Sequence, residues 1–307
     1  VFPSSLPHFL IAKIQVDFRL GLKFDQTSYI KSRPNFTMTA STDFNSPVTL
    51  PPISDVVIDA RRLTKRFQGM TAVSEMSLTV RRQEMVGLIG PNGAGKTTMF
   101  NLIAGSLQPT SGELWISGRE VSREAPEKRI GHGLARTFQI PKPFAEMTVL
   151  ENLMVGGQKQ QGEGLFANFL NIKAVRGQER HLLEKARHLL DFVTLSHLEH
   201  QPARVLSGGQ RKLLELARVL MADPDVILLD EPAAGVNPAL LEVIIERVFQ
   251  LNAQGKSILL IEHNMDMVSR LCSRVVAMAL GSLLAEGTPG DVSANPVVIE
   301  AYLGGTA

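Results

Sequence analysis

The chain has 307 residues, 44% of them hydrophobic and 20% charged, with a net charge of +2; this is ample for a packed core in one large domain or two small ones, and it argues neither for nor against a nucleic-acid or membrane-surface partner, because no face can be assigned a basic excess. The one cysteine, Cys272, excludes an intrachain disulfide, fits a reducing compartment and reads as a small buried apolar residue. No apolar run approaches the roughly 18–20 residues of a membrane span, and the apolar start Phe9-Leu10-Ile11-Ala12 is broken by Lys13 without a basic lead, so the chain reads as soluble or peripheral, with any spans supplied by another subunit.

Residues 1–54 stand apart. Ser, Thr, Pro and Asn dominate 41–52 and no amphipathic period is sustained, which predicts a disordered or loosely attached extension. Met38 offers a translation start that would leave 307 − 37 = 270 residues; a genuine extension is the alternative. From Val56 onward the chain is dense in structure. Short strands with β-branched residues are predicted at 56–58 and 77–80. The apolar run 85–89 feeds a glycine-rich loop, a helix continues over 96–107, and another strand is predicted at 113–116.

Thr148 with Glu151 forms a capping box and opens a helix. Leu182, Leu183, Ala186, Leu189, Leu190 and Val193 mark one face of a second. Residues of about 140–220 are thus predicted to be mainly helical. The continuous apolar run 226–229 predicts a strand buried on both faces. Asn237 as cap and Pro238 at the first position open a helix that Gly255 closes. Strands are predicted again at 257–261 and 275–279. This alternation is that of a parallel α/β sheet.

Three motifs carry chemistry. Gly90-Pro91-Asn92-Gly93-Ala94-Gly95-Lys96-Thr97 has the form G-x-x-x-x-G-K-[ST]. Its glycines let successive N–H groups turn toward the β- and γ-phosphates of a nucleotide, and the following helix adds its dipole. Lys96 would reach those phosphates and the Thr97 hydroxyl would ligate Mg²⁺. An ordinary glycine turn is the plain alternative; the strand before and the helix after favour the phosphate loop. Asp230 ends a buried strand, where a carboxylate can hold Mg²⁺ through its waters. Glu231 lies where a base could orient and polarise an attacking water; a solvated acidic turn is the alternative. Ser207-Gly208-Gly209-Gln210 heads an amphipathic helix with Ser207 as its cap. One chain already has a phosphate loop, so a second anion site makes sense if it serves a γ-phosphate bound by another subunit; read alone it is only a helix start.

Over residues 55–303 these motifs resemble the ATP-binding cassette family. Gln139 in Ala135-Arg136-Thr137-Phe138-Gln139 resembles the family's Q-loop glutamine, His263 its switch histidine, and Phe67 the aromatic that stacks on adenine. The resemblance implies a P-loop NTPase cassette: a RecA-like parallel-sheet core, a small antiparallel β subdomain, a helical subdomain at about 140–220 and a short tail at 304–307. It implies ATP and Mg²⁺ as cofactors. ATP would be bound by Phe67, Gly90, Pro91, Asn92, Gly93, Ala94, Gly95, Lys96, Thr97 and Thr98. The metal would be held by Thr97, Gln139 and Asp230. Two cassettes would sandwich two ATP molecules, with Ser207, Gly208, Gly209 and Gln210 of one chain facing the nucleotide of the other. Glu231 would polarise water, His263 would contact the γ-phosphate, and Gln139 would couple the helical region to a membrane partner.

Within the family, the stretches 133–139, 147–153, 230–238 and 285–289, with the ending Ala301-Tyr302-Leu303-Gly304, are similar to the ATPase subunits of branched-chain amino acid importers. Asn237 stands where the wider family often has Asp, and it fits this branch. The resemblance implies a peripheral subunit on the cytoplasmic face of a bacterial inner membrane. Its partners would be two permeases, a second cassette, identical or merely similar, and indirectly an extracytoplasmic solute-binding protein, with no nucleic acid. Urea or amide importers and a lipopolysaccharide exporter use similar cassettes and are alternatives. A soluble cassette of translation or DNA maintenance is a more distant one, since such chains usually carry two cassettes or long coiled coils.

Overall fold

The computed structural model describes residues 55–137, 143–156 and 172–303. The N-terminal extension with Met38, the glutamine Gln139 and the tail 304–307 lie outside the described residues. In chain order, β1 (Val56–Phe67) and β2 (Met70–Arg81) form a hairpin, and β3 (Met85–Ile89) runs through the glycine loop into α1 (Lys96–Ala104). Next come β4 (Ser111–Ile116), β5 (Arg119–Glu120), α2 (Pro126–Gly131) and β6 (Leu134–Arg136). Among the described residues the α-helices α3 (Val149–Met154), α4 (Ile172–Phe192) and α5 (Gly208–Leu220) follow. The remainder is β7 (Val226–Asp230), α6 (Pro238–Ala253), β8 (Ser257–Ile261), α7 (Met265–Leu271), β9 (Arg274–Ala279), β10 (Ser282–Gly287), α8 (Pro289–Ala294) and α9 (Pro296–Leu303).

These strands make a mixed α/β architecture with two sheets. One is antiparallel, in the order β2-β1-β4-β5; the other has the order β10-β9-β3-β8-β7-β6 and is parallel except for its edge strand β10. The strands predicted at 56–58 and 77–80 pair with each other, but the hairpin extends twelve residues on each side. Its outer half escapes a period-two reading because the alternation is broken where Arg62 (φ 48°) and Glu75 (φ 47°) enter the left-handed region and the register shifts. The helix predicted to reach residue 107 stops at Ala104, where Gly105 (φ 88°) turns its N–H back to the Leu102 carbonyl. The capping boxes at Thr148 and Ser207 are both formed in full, and Asn237 caps α6 with Pro238 in its first turn.

Alternate residues of the parallel strands feed two cores. Met85, Ile89, Ile227, Leu229, Ile258 and Leu260 meet Leu213, Leu214, Ile244 and Val248 of the helices on one face. Val86, Leu88, Val226, Leu228, Leu259 and Ile261 meet Phe100 and Ile103 of α1 and the antiparallel sheet through Ile58, Leu63 and Val80 on the other. Each such side chain contributes about 1.5–3 kcal/mol of burial. With both faces closed, the C-terminal edge is where the chain can gather charge.

Two polar clasps fix the layers. Arg129 is fully buried and donates to the carbonyls of Leu102 (2.5 Å), Ile103 (2.7 Å), Val121 (2.7 Å) and Glu124 (3.1 Å). It thereby satisfies the open carbonyls at the end of α1. Burial pushes its guanidinium pKa down to about 10, against the favourable charge of Glu124, so it stays protonated at neutral pH. Arg274, opening β9, grips both oxygens of Glu84 (2.8 and 3.0 Å), Glu286 of β10 (2.5 Å) and the Thr79 carbonyl of β2 (2.7 Å), which ties the two sheets together. Burial would raise the Glu84 carboxyl, but hydrogen bonds from Arg274 and the Arg81 N–H outweigh it and hold it below the usual carboxylate range.

Arg129→Ala is expected to lower stability by about 3 kcal/mol or more, because several buried carbonyls lose their donor together; denaturant titration reads this directly. Since Glu84 is more acidic folded than unfolded, its contribution is present above about pH 5 and is lost as pH falls through the folded value. Unfolding free energy measured from pH 7 downward should therefore fall less steeply in Glu84→Gln than in the native chain.

Candidate functional site

The strands β3, β7 and β8 are parallel neighbours, so the segments after them emerge side by side. The loop after β3 builds the floor of a cleft. Residues 92–98 line it together with Met70, Thr71 and Ala72 of β2, Glu231, His263 and the Leu280-Gly281 turn. Gly90 and Gly95 are the close points of that loop: a Cβ would lie 2.2 Å from the Met278 carbonyl at Gly90 (φ 151°) and 2.4 Å from the Ala72 carbonyl at Gly95 (φ 97°). α1 starts at once after Gly95, with no side-chain cap and no acidic residue in its first turn. Its leading N–H groups thus form an anion site at the positive end of a helix dipole.

Lys96 is buried and folds along the loop, donating to the carbonyls of Gly90 (2.8 Å) and Pro91 (2.9 Å). Burial pulls its ammonium pKa below the ordinary range, while the charge of Glu231 opposes the shift. Thr97 and Thr98 line the cleft beside it. Asp230 ends β7 almost fully buried. One carboxylate oxygen accepts from Arg136 (2.7 Å), its N–H donates to the Thr137 hydroxyl (3.2 Å), and Oδ1 has no hydrogen-bond partner. A buried anionic oxygen without a donor is costly unless a cation completes it.

Glu231 follows in a left-handed turn (φ 46°). Its Oε1 lies 3.3 Å from Nε2 of His263, which follows β8 and is half in solvent. The turn is pinned by buried Glu262. One of its oxygens accepts the Ala233 N–H (2.6 Å), and the other accepts the N–H groups of His263 (2.9 Å) and Asn264 (3.0 Å). A carboxylate, an imidazole and a buried ammonium therefore meet around the glycine-rich loop, an arrangement able to orient a water against a bound phosphoryl group.

Ser207, Gly208, Gly209 and Gln210 do not line this cleft. Ser207 and Gly208 are exposed at the start of α5, and Ser207 and Gln210 exchange hydrogen bonds as a capping box (3.3 and 2.9 Å). Gly209 is buried against the loop that follows Glu231; a Cβ there would approach Leu240 to 2.8 Å and Val236 to 3.1 Å. Phe67 is 39% exposed at the hairpin end, paired with Met70; Met70 rather than Phe67 contributes to the cleft wall. Gln139 lies outside the described residues. Arg136, Lys212 and Glu262 also bond to residues of this site, though no sequence motif singles them out. Glu262 directly follows an apolar strand, much as Asp230 closes one, and that signal points to it. Arg136 and Lys212 are visible only once the strands and helices are assembled.

The family model described as ABC transporter matches residues 73–234, and one described as branched-chain amino acid ATP-binding cassette transporter matches residues 282–307. A probable branched-chain amino acid transport ATP-binding protein LivG of Archaeoglobus fulgidus is 38% identical, over 81% of this chain and 95% of its own length. The high-affinity branched-chain amino acid transport ATP-binding protein BraF of Pseudomonas aeruginosa is 38% identical, over 82% and 99%. A crystal structure of a nucleotide-free ATP-binding cassette from an ABC transporter superposes with a TM-score of 0.71 at 37% identity, covering 80% of this chain and 98% of that one. With the glycine-rich loop, the strand-end carboxylates and His263 assembled on one sheet edge, and with these similarities spanning nearly all of the described residues, the chain belongs to the ABC transporter family as an ATP-binding ATPase subunit.

Proposed function

We propose that this subunit powers import of branched-chain amino acids, or closely related small solutes, through separate permease subunits. The observation that carries the catalytic part is the Glu231–His263 pair, 3.3 Å apart at the rim of the phosphate-loop cleft. The names of the relatives and the match over residues 282–307 support the solute class. The cassette spans 55–303 on this reading, with a helical subdomain within about 140–220, an N-terminal extension at 1–54 and a tail at 304–307.

In the proposed mechanism, the N–H groups of the loop 90–95 and the start of α1 cradle the phosphates of ATP. Lys96 exchanges its loop carbonyls for phosphate oxygens. Phe67 stands by the adenine. Among the described residues no group of three or more His, Cys, Asp and Glu is placed to hold a metal. Mg²⁺ would instead be held by Asp230, Thr97 and Gln139 together with the phosphates, and the unpartnered Oδ1 of Asp230 fits such a role. When bound, the ion neutralises phosphate charge. Glu231 accepts a proton from the attacking water, and His263 keeps that water and the γ-phosphate aligned. Ser207, Gly208, Gly209 and Gln210 face the nucleotide of a second cassette. No helix among the described residues is long and apolar enough to cross a membrane, which supports a peripheral subunit; we place it on the cytoplasmic face beneath two permeases supplied by a solute-binding protein.

Glu231→Gln is expected to keep ATP affinity within a few-fold while turnover falls by about 10²-fold or more; phosphate release and nucleotide titration on the same preparation separate the two effects. Affinity purification of the full chain from detergent-solubilised native membranes should recover two multi-span permeases and a second cassette. Recovery with envelope-spanning lipid carriers instead would overturn the importer reading.

A further inference from the structure

Glu231 carries the proposed catalytic carboxylate on a backbone that L-residues seldom adopt, with φ at 46°. In a partly buried loop such a backbone persists because the surrounding structure holds it. The Glu231 N–H donates to the Ile261 carbonyl of β8 (3.0 Å), and its carbonyl accepts the Ala234 N–H (3.1 Å). The same carbonyl accepts a second, side-chain donor, the Nζ of Lys212. Lys212 sits in the second turn of α5, the helix that Ser207 caps, and is half-buried. Through it α5 holds the peptide of Glu231.

We propose that Lys212 is a positioning residue: by holding the Glu231 carbonyl it keeps that residue in the left-handed turn that aims its carboxylate into the cleft, and it makes α5 and the proposed base one mechanical unit. The inference rests on the assignment of Glu231 as the base.

The surroundings fit this role. Relaxing Glu231 toward ordinary helical dihedrals would rotate its carbonyl away from both donors and swing its carboxylate from His263. Burial draws the Lys212 ammonium below its ordinary range, yet the carboxylates of Glu262, Glu215, Glu231 and Asp230 all favour its charged form. A charged donor in a partly dehydrated site makes a stronger hydrogen bond than a neutral one. The packing is tight on the same side: Gly209, one turn earlier on α5, leaves no room for a Cβ beside Val236 and Leu240. Movement of the start of α5 is therefore transmitted to the loop after Glu231 by packing, and to the Glu231 peptide by Lys212.

The test is a double-mutant cycle in the full chain with Lys212→Met and Glu231→Gln, read by phosphate release, nucleotide affinity and thermal unfolding. Lys212→Met alone should lower turnover about tenfold or more with nucleotide affinity little changed, since small misplacements of a catalytic group carry losses of that order. On the Glu231→Gln background the same change should cost less than about twofold, because its target is already disabled. Lys212→Arg should restore most of the turnover, as it returns a cationic donor to the same carbonyl. Equal losses on both backgrounds, or near-native turnover in Lys212→Met, would overturn the proposal and leave the assignment of Glu231 standing. If Lys212→Met fails to fold, the arginine variant decides alone: a folded Lys212→Arg with turnover below about a tenth of native overturns the positioning role. Native turnover in Glu231→Gln by itself would remove the assignment beneath the proposal, and the proposal with it.

Discussion

Burial of the parallel sheet on both faces governs where chemistry can occur in this chain. β3 and β7 are apolar on every residue up to their last, β8 on every residue after Ser257, and each of their faces is filled by a separate core. A charged side chain within those strands would be desolvated without a partner, at a cost of several kcal/mol. The strands also run parallel, so the positions just past their ends fall on one edge. Lys96, Asp230, Glu231, Glu262 and His263 gather there because it is where each strand first meets water and helix N-termini.

Charges brought together in this way need internal balance. Asp230 is neutralised on one oxygen by Arg136, itself held by Asn101 (2.5 Å) and set 5.7 Å over the Phe100 ring. Lys96 is satisfied by carbonyls of its own loop. Glu262 spends both oxygens on backbone N–H groups of two neighbouring loops. Each of these bonds also positions something. Arg136 engages only one oxygen of Asp230 and leaves Oδ1 without a hydrogen-bond partner, and Glu262 bonds both the loop after Glu231 and the segment that carries His263. A loop lysine that bonds only carbonyls can release them to a triphosphate with little rearrangement of the backbone, so the cleft is pre-organised for an anion.

Much of this was legible in the sequence, for physical reasons that differ by element. β3, β7 and β8 are short apolar runs bounded by loop residues, and their expected bounds at 85–89 and 257–261 coincide with the strands. The caps at Thr148, Ser207 and Asn237 follow from local side-chain-to-backbone bonds that need no tertiary context. The full length of the β1–β2 hairpin was not legible, because left-handed residues at Arg62 and Glu75 shift its register and scramble the alternation. β6 was missed because three residues, Leu134–Arg136, carry too little period to read, and its place at the sheet edge is fixed by pairing with β7. The same limit hid Arg136 and Lys212. Their partners lie 94 and 19 residues away, and a lone cation in a helix or strand reads as a solvated one until the fold supplies its acceptor.

Asn237 shows how one residue can serve both a local and a distant constraint. Its side chain accepts the Leu240 N–H at 2.9 Å and so starts α6. An aspartate would cap equally well and add a charge, so the neutral amide gives up electrostatics and keeps geometry. That geometry matters because α6 begins against α5: Leu240 and Val236 are the side chains that leave Gly209 no room for a Cβ. The cap therefore fixes the far end of the loop that begins at Glu231, while Glu262 fixes its middle and the Ile261 carbonyl its start. A loop fixed at start, middle and end has few ways to move alone. Its start and middle are tied to β8 and the residue after it, and its end packs against Gly209 of α5, so a displacement of either element is felt along the whole loop.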